Sequence, residues 1–386
     1  MRRSLAALVA GVVLAYGLAG CADDETRSAN TEPSGSPTSE SSAGESPTSD
    51  PTSTPEHTEE TALEGGSADS PAPVEPATSL LEWTPVPGPA TSTVTRSGPW
   101  TLTINEAGTR ASVEGSNWRA RFEEGGRQRI SDGMIAGDWA VLVVQDRLET
   151  RPAEAHVVHL GSQSGRFTLD GSTDVPTTTG GSWALGESRV VHPTIGPGGT
   201  YCLATVDLEK QSSARTWCAE KRHGFNAARI TPAGTSLMTF DDQQPSCRTV
   251  VQVDGHDVDP FEGVEQCLGW EGILLGDGAV WSVVPKQNRI EEARYYARAG
   301  DQYYDLGPGT SGTLVPCGDA AYFTQDPVHD GDPARLLRWT GDELEVVYET
   351  HGRGPAFLTE PRCGDGRITI TALAESGDEQ VTAELG

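Results

Sequence analysis

The sequence is short of basic and aromatic residues. Lys and Arg number 28 against 56 Asp and Glu, which leaves a net charge of −28, and only 6% of the residues are aromatic. Proteins that bind nucleic acid neutralise phosphates with Lys and Arg, so this balance argues against a nucleic-acid partner. The chain also lacks a clear amphipathic helix pattern and any Cys-x-x-Cys motif. A helical fold and a cysteine-bound zinc ion are therefore not expected.

The first residues have the three zones of a secretory signal. Arg2 and Arg3 give a positive start, residues 5–18 are almost wholly apolar, and Leu18-Ala19-Gly20-Cys21 follows. This stretch resembles the lipobox of bacterial lipoproteins. The resemblance implies a signal peptide at 1–20, an acylated Cys21, and attachment to the outer side of the cell membrane. A plain transmembrane anchor is the alternative, although the apolar stretch is at the short limit for spanning a bilayer.

Residues 21–85 are predicted to form a disordered tether. Between residues 22 and 80 the chain is mostly Ser, Thr, Pro, Glu, Gly and Ala, with thirteen acidic residues and Arg27 as its single basic one. Such a composition cannot bury enough apolar surface to offset the conformational entropy of the chain. A flexible coil of this length spans about 40–45 Å, which would hold a domain clear of the membrane.

Residues 90–386 show a repeated pattern of short strands. A short strand, a turn containing Gly and a strongly apolar strand recur at intervals of about 40 to 49 residues. Their turns lie at 137–139, 186–188, 234–235, 276–278, 317–319 and 363–365. Second hairpins follow, with turns such as Gly300-Asp301, since Gly adopts the positive φ of tight turns at little cost. Two hairpins per repeat predict a four-stranded antiparallel sheet.

Four strands in about 45 residues, repeated, are the period of β-propeller blades. With 100–122 as a first and 356–385 as a last blade, each of three strands, the pattern predicts an all-β, seven-bladed propeller. A strand near the N-terminus, for instance 93–95, is expected to complete an end blade and close the ring. The chain resembles the β-propeller superfamily in period and strand order, without the blade signature of a particular family. A β-sandwich or two stacked β-domains are the alternatives.

Six cysteines lie beyond Cys21, an even number that predicts disulfides in an exported protein. Two pairs are symmetric about the second-hairpin turns of the third and fourth blades, where opposite positions come close enough for a bridge. The remaining two cysteines share one turn position in adjacent blades and pair by elimination. The predicted bridges are Cys202–Cys218, Cys247–Cys267 and Cys317–Cys363.

No catalytic set of residues stands out in the sequence. His156 and His159 are three apart on a predicted strand, so their side chains point to opposite faces and cannot share a metal. The loop at 326–332 carries Asp326, Asp330 and Asp332, and such carboxylates can bind Ca²⁺. A solvated acidic loop is the commoner explanation for this pattern. We therefore expect no metal, no cofactor and no assigned catalytic residue.

Two classes of function stay open. The first is a membrane-anchored binding or scaffolding lipoprotein with a protein or cell-wall partner, favoured by the tether, the acidity and the missing catalytic set. The second is an extracytoplasmic hydrolase or lyase acting on carbohydrate or cell-wall polymer. The fold alone does not decide between them. A carboxylate pair in a channel mouth would favour the enzyme.

The predicted binding surface is the propeller face formed by the longer loops, which join strand two to strand three and each blade to the next. Binding residues concentrate on such loops because a rigid scaffold positions them. The loops include 145–154, 170–181, 194–199, 241–246, 285–289 and 326–333. The candidate residues are Arg147, Arg151, His192, Arg289, Asp326, His329 and Asp330. Tolerated surface insertions are the alternative explanation of these loops.

Overall fold

The structure, a computed structural model, describes residues 63–162, 165–186, 188–329, 331–351 and 356–385. The predicted signal peptide, Cys21 and most of the predicted tether lie outside these ranges. Apart from two single-turn 3₁₀ helices, Pro197–Gly199 and Ile290–Glu292, the regular structure in these ranges is β-strand. No helix in the described residues is long and apolar enough to cross a membrane.

Three short strands precede the blades, and the first four blades each have four antiparallel strands. The leading strands are β1 (Ala72–Pro73), β2 (Ala77–Thr78) and β3 (Trp83–Pro85). Blade 1 is β4 (Thr93–Ser97), β5 (Trp100–Ile104), β6 (Arg110–Gly115) and β7 (Trp118–Glu123). Blade 2 is β8 (Gln128–Ala136), β9 (Trp139–Asp146), β10 (Glu154–His159) and β11 (Arg166–Leu169). Blade 3 is β12 (Ala184–Leu185), β13 (Arg189–Ile195), β14 (Tyr201–Asp207) and β15 (Ser212–Cys218). Blade 4 is β16 (His223–Thr231), β17 (Gly234–Asp241), β18 (Arg248–Asp254) and β19 (Asp257–Pro260).

The last three blades also use the leading strands. Blade 5 is β20 (Gly269–Leu275), β21 (Gly278–Val283), β22 (Arg294–Ala299) and β23 (Gln302–Pro308), with β1 parallel to β23. Blade 6 is β24 (Val315–Cys317), β25 (Ala320–Gln325), β26 (Arg335–Trp339) and β27 (Leu344–Glu349), with β2 parallel to β27. Blade 7 begins with a broken inner strand, β28 (Ala356–Leu358) and β29 (Arg362–Gly364). It continues with β30 (Arg367–Ala374) and β31 (Glu379–Glu384), and β3 is its antiparallel outer strand.

The second strand of a blade is strongly apolar because neighbouring blades cover both of its faces. In β9 the first six residues are all buried, and in β21 every residue is buried. The turn between β8 and β9 is tight, and Gly137 there adopts a φ of 52°, which glycine reaches without a side-chain clash. Apolar second strands and glycine turns therefore form each blade from residues that are close along the chain.

The blades form a closed ring around a central channel. Apolar clusters join successive blades from 1 to 7. Leu102 of blade 1 and Leu142 of blade 2 share one cluster, and burying a Leu side chain contributes about 1.5–3 kcal/mol. The first strands of neighbouring blades contact one another, and β29 contacts β4 to close the circle. The seven-bladed propeller predicted from the repeats is confirmed, and the sandwich alternatives are excluded.

The N-terminal boundary differs from the prediction. Residues 63–85, assigned to the tether, belong to the fold: β1 and β2 extend blades 5 and 6, and β3 completes blade 7. The strand borrowed by an end blade is therefore 83–85, whereas 93–95 belongs to the inner strand of blade 1, which has four strands of its own. The composition concealed these strands because they are two or three residues long. They are held by backbone pairing and by single anchors such as Trp83, whose Nε1 donates to the Val347 carbonyl at 2.9 Å.

All three predicted disulfides are present, although not all for the predicted reason. Cys202 and Cys218 face each other across β14 and β15, as expected. Cys247 and Cys267 are also bonded, but β19 ends at Pro260 and Cys267 lies in the connection to blade 5. The third bridge, Cys317–Cys363, joins the inner strands of blades 6 and 7 beside their turns. It links two blades covalently at the channel.

Candidate functional site

A cavity occupies the channel on the side of the tight hairpin turns. It has a volume of about 740 Å³ and is lined by inner-strand or turn residues of blades 1, 2, 3, 4, 6 and 7. Apolar wall residues are Met134, Leu185, Ile230 and Val315. Because β8 runs from the long-loop side at Gln128 to the turn side at Ala136, a lining that covers 132–139 places the cavity towards the turns. The predicted binding face is on the opposite side.

A second, smaller pocket lies between blades 1 and 2 towards the long loops. Its volume is about 200 Å³, and its lining includes residues 104–108 of blade 1 and 129–132 of blade 2. Asp132 and Arg362 line both pockets. The Asp132 Oδ1 accepts a hydrogen bond of 2.9 Å from Arg362 Nη1. This ion pair therefore stands at the boundary between the two pockets.

The ion pair continues into a network of alternating charge across the channel. Arg362 Nη2 lies 3.5 Å from Glu360 Oε2, and Arg229 Nη2 donates to Glu360 Oε1 at 3.1 Å. Arg229 Nε also donates to the Leu314 carbonyl at 3.2 Å. Burial alone would lower the pKa of Arg362, but the charges of Asp132 and Glu360 raise it above the ordinary value. The network connects blades 2, 7 and 4 and fixes four charges in the channel.

Glu271, on the inner strand of blade 5, carries a further buried carboxylate. It is 2% exposed, and its Oε1 accepts hydrogen bonds from the Tyr295 hydroxyl at 2.7 Å and the Gly312 N–H at 2.8 Å. Burial raises the pKa of Glu271, and the positive charge of Arg229 offsets part of that rise. The Glu271 carboxylate therefore bonds blade 5 to the segment that precedes blade 6. Its role is structural.

The cavity mouth is more acidic than its interior. Asp138, Glu209 and Asp365 line it as exposed turn residues, whereas Arg189 is the exposed basic residue of the lining. Inside, the two arginines and the two carboxylates compensate each other. Among the described residues of the mouth, negative charges therefore exceed positive charges by two.

Trp183 provides a buried, unused hydrogen-bond donor in the cavity wall. The residue lines the cavity and is 6% exposed, and its buried Nε1 has no acceptor among the described residues. The indole stacks on the ring of His192 with centroids 4.9 Å apart. His192 is completely buried, burial lowers its pKa, and its Nδ1 donates to the Pro193 carbonyl at 3.0 Å. His192 therefore supports Trp183 and is not on the surface, contrary to its place among the predicted contact residues.

The other predicted residues lie on the long-loop face but are spread over several blades. Arg147 and Arg151 are exposed in the β9–β10 loop, and Arg289 is exposed in the β21–β22 loop. Arg289 pairs with Glu291 and Glu292. None of these residues lines either cavity. Their role in binding stays a prediction.

The acidic loop of blade 6 folds back on itself. The backbone N–H of His329 donates to Asp332 Oδ2 at 3.0 Å, and the N–H of Asp332 donates to the His329 carbonyl at 3.0 Å. Burial raises the pKa of Asp326. Asp330 lies outside the described residues. Within the described part of the chain, no group of three or more His, Cys, Asp or Glu side chains is placed to hold a metal ion.

Exposed large apolar side chains concentrate on the long-loop face. Two other such residues of the described chain, Leu63 and Leu80, are in the N-terminal segment. Those on or beside the long loops are Leu148, Ile195, Ile290, Val328, Phe357 and Leu373. Sequence reasoning chose this face for its loop lengths and charges and did not identify its apolar residues. It also missed the cavity residues, which are ordinary strand and turn positions in the sequence.

Comparison with known proteins supports the fold alone. No protein-family model and no curated protein match the chain. The β-propeller domain of the trilobed protease from Pyrococcus furiosus is 12% identical, with a TM-score of 0.50 over 81% of this chain and 95% of that one. An oligogalacturonate lyase from Vibrio parahaemolyticus is 10% identical, with a TM-score of 0.50 over 80% and 98%. A prolyl endopeptidase is 11% identical with a TM-score of 0.51, over 75% of this chain and only 45% of that enzyme.

Proposed function

We propose that this protein is a membrane-tethered, extracytoplasmic binding protein that holds its ligand in the turn-side cavity of the propeller. The observation that carries the proposal is the cavity itself, of about 740 Å³ and walled by six blades around a fixed set of ion pairs. Ligand pockets typically measure about 300–1,000 Å³ and combine apolar walls with a few placed polar groups. The rigid ring would hold those groups in position before the ligand arrives.

The arrangement of the cavity carboxylates favours binding over glycoside hydrolysis. Asp132 and Glu360 both face the guanidinium of Arg362, and Glu360 also receives Arg229. A glycosidase needs one protonated carboxyl group beside the scissile bond as its acid. In this cavity both carboxyl groups are instead held in ion pairs with guanidinium groups.

The anchoring part of the proposal depends on Cys21. We expect Cys21→Ala to abolish acyl labelling and to release the protein from the membrane fraction, since the thiol is the acceptor of the lipid. Metabolic labelling with a radioactive fatty acid and fractionation of cells would measure both effects. A substituted protein that stays in the membrane at its precursor mass would show that residues 5–18 are a true transmembrane anchor.

The binding part can be tested by site-specific photo-crosslinking in cells that make the full chain. A photo-reactive amino acid replaces Ser188, which lines the cavity near its mouth, or Leu148, which is exposed on the long-loop face. We expect adducts of discrete mass from position 188. The probe at position 148 is the matched comparison, because it would form a crosslink with a larger partner bound to the predicted loop face. Adducts from position 148 with none from position 188 would contradict the cavity proposal.

A further inference from the structure

We propose that the ligand of the turn-side cavity is a positively charged peptide segment of a partner protein, an inference that rests on the proposed binding function. The first argument is the charge of the mouth. Asp138, Glu209 and Asp365 face a single exposed Arg189, while the deeper charges compensate one another. A channel mouth lined by one sign of charge in a low-dielectric scaffold concentrates ions of the opposite sign.

The excess charge extends beyond the cavity lining to the whole face. The described hairpin turns on this side carry eight carboxylates and one lysine, Lys210, while Arg189 and Arg298 lie at adjoining strand ends. Such a face repels acidic proteins and attracts basic ones before contact, and attraction of this kind raises association rates. The long-loop face carries several arginines and lysines among its acidic residues, so its charges are more mixed than those of the turn side.

The wall below the mouth suits a peptide better than a small polyamine. Trp183 lines the cavity, although its Nε1 is itself buried and lacks an acceptor among the described residues. A peptide backbone offers carbonyl oxygens to the exposed guanidinium of Arg189 in the lining, whereas a polyamine carries donors only. The apolar side chains of Ile230 and Val315 would contact the aliphatic stems of Lys or Arg, which pack on apolar surface while the charged end stays at the polar rim.

The depth of the site follows from the Asp132–Arg362 ion pair. It stands between the two pockets, so a ligand that enters from the turns meets this pair as the floor of the larger cavity. A peptide would therefore insert one or two side chains and leave the same side by which it entered.

The test is a binding titration with the full chain in detergent micelles. The probe is a fluorescent nonapeptide rich in Arg, and the comparison peptides replace every Arg by citrulline, which is neutral and of the same shape, or by Glu. We expect the Arg peptide to bind at least about tenfold more tightly than the citrulline peptide, with affinity falling as salt rises. Equal binding of the Arg and citrulline peptides, or no binding of the Arg peptide, would overturn the proposal.

Paired variants separate the cavity from general attraction to an acidic protein. Asp138→Asn with Asp365→Asn removes two charges at the mouth. Asp301→Asn with Asp342→Asn removes two charges from exposed turns of the same face that do not line the cavity. We expect the mouth variant to lose about tenfold in affinity and the control pair less than about twofold. Equal losses would overturn the proposal, as would spermidine binding at the mouth as tightly as the peptide.

The experiments distinguish a wrong ligand class from a wrong binding function. If the Arg peptide fails to bind while position 188 still forms crosslinks in cells, the cavity binds a different ligand and the binding function stands. If crosslinks at position 188 are also missing, both proposals are wrong.

Discussion

Asp132 and Arg362 are 230 residues apart in the sequence and form a hydrogen-bonded ion pair of 2.9 Å in the channel. Asp132 is on the inner strand of blade 2 and Arg362 on that of blade 7, and blade 1 stands between them in the ring. The pair therefore links two blades that are not neighbours and lines both pockets. A residue in the first half of the chain thus depends on a residue near its end.

Removing the guanidinium of this pair should destabilise the propeller. We expect Arg362→Met to lower the free energy of unfolding by about 1–3 kcal/mol, because Asp132 and Glu360 lose a partner while about a third exposed. Arg189→Met is the matched control, since Arg189 is exposed in the same lining, and should change stability by less than about 0.5 kcal/mol. Urea unfolding followed by tryptophan fluorescence measures both. Equal costs would show that the ion pair contributes nothing.

The bridge between blades should stabilise more than the bridge within a hairpin. Cys317 and Cys363 are separated by 46 residues, and Cys202 and Cys218 by 16. In the loop-entropy account, removing the longer closure costs about 4 kcal/mol and the shorter about 3 kcal/mol. Double replacement by Ala in each pair, compared by urea unfolding, tests the order. A larger loss for the hairpin bridge would show that loop entropy is not the dominant contribution here.

Stability should depend on pH through Glu271. Burial raises its pKa above the ordinary 4.5, so the native state holds this proton more tightly than the unfolded chain. The associated stability is fully present below about pH 4.5 and is lost as pH rises through the raised pKa. Glu271→Gln cannot ionise, so as pH rises from 4.5 to 7.5 its free energy of unfolding should increase relative to that of the natural protein. Unfolding titrations at several pH values measure this difference, and a constant difference would contradict the prediction.

The N-terminal segment should contribute to the fold through Trp83. Its ring contacts Tyr348 edge to face at 5.1 Å, and its Nε1 donates to Val347. We expect Trp83→Ala to cost about 2–3 kcal/mol, since a half-buried aromatic anchor between blades 6 and 7 is lost. Leu80→Ala, at a residue 54% exposed in the same segment, should cost less than about 0.5 kcal/mol. Similar melting temperatures for both variants and the natural protein would mean that β3 does not help to close the ring.

The repeat pattern was sufficient for the propeller because each blade is a local structure. Glycine turns such as Gly137 and buried strands such as β9 depend on neighbours within about 45 residues, so their signals recur along the sequence. The same register placed Cys202 opposite Cys218. The Cys247–Cys267 bridge was predicted correctly, but from a hairpin that does not extend to Cys267, because strand β19 ends at Pro260. Here the symmetric spacing gave the right pair for a reason that the structure does not bear out.

The candidate site could not be predicted in this way. His192 was assigned to a loop face, but β13 extends to Ile195 and buries it completely under Trp183. Arg229, Glu360 and Arg362 looked like ordinary charged residues in or beside strands. Whether these side chains contact one another depends on where blade 4 lies relative to blade 7. No local sequence pattern records that placement.

The sequence by itself determined the type and number of blades, the two hairpins in most of them and the pairing of the cysteines. These properties depend on residues that are close along the chain or share one repeat register. The tertiary structure alone decided where the ring closes, which side of the channel is hollow and which charges face each other. Closing a ring of seven similar blades brings residues together across hundreds of positions. The interaction energy of two such residues depends on the distance between them in space, which the sequence pattern does not record.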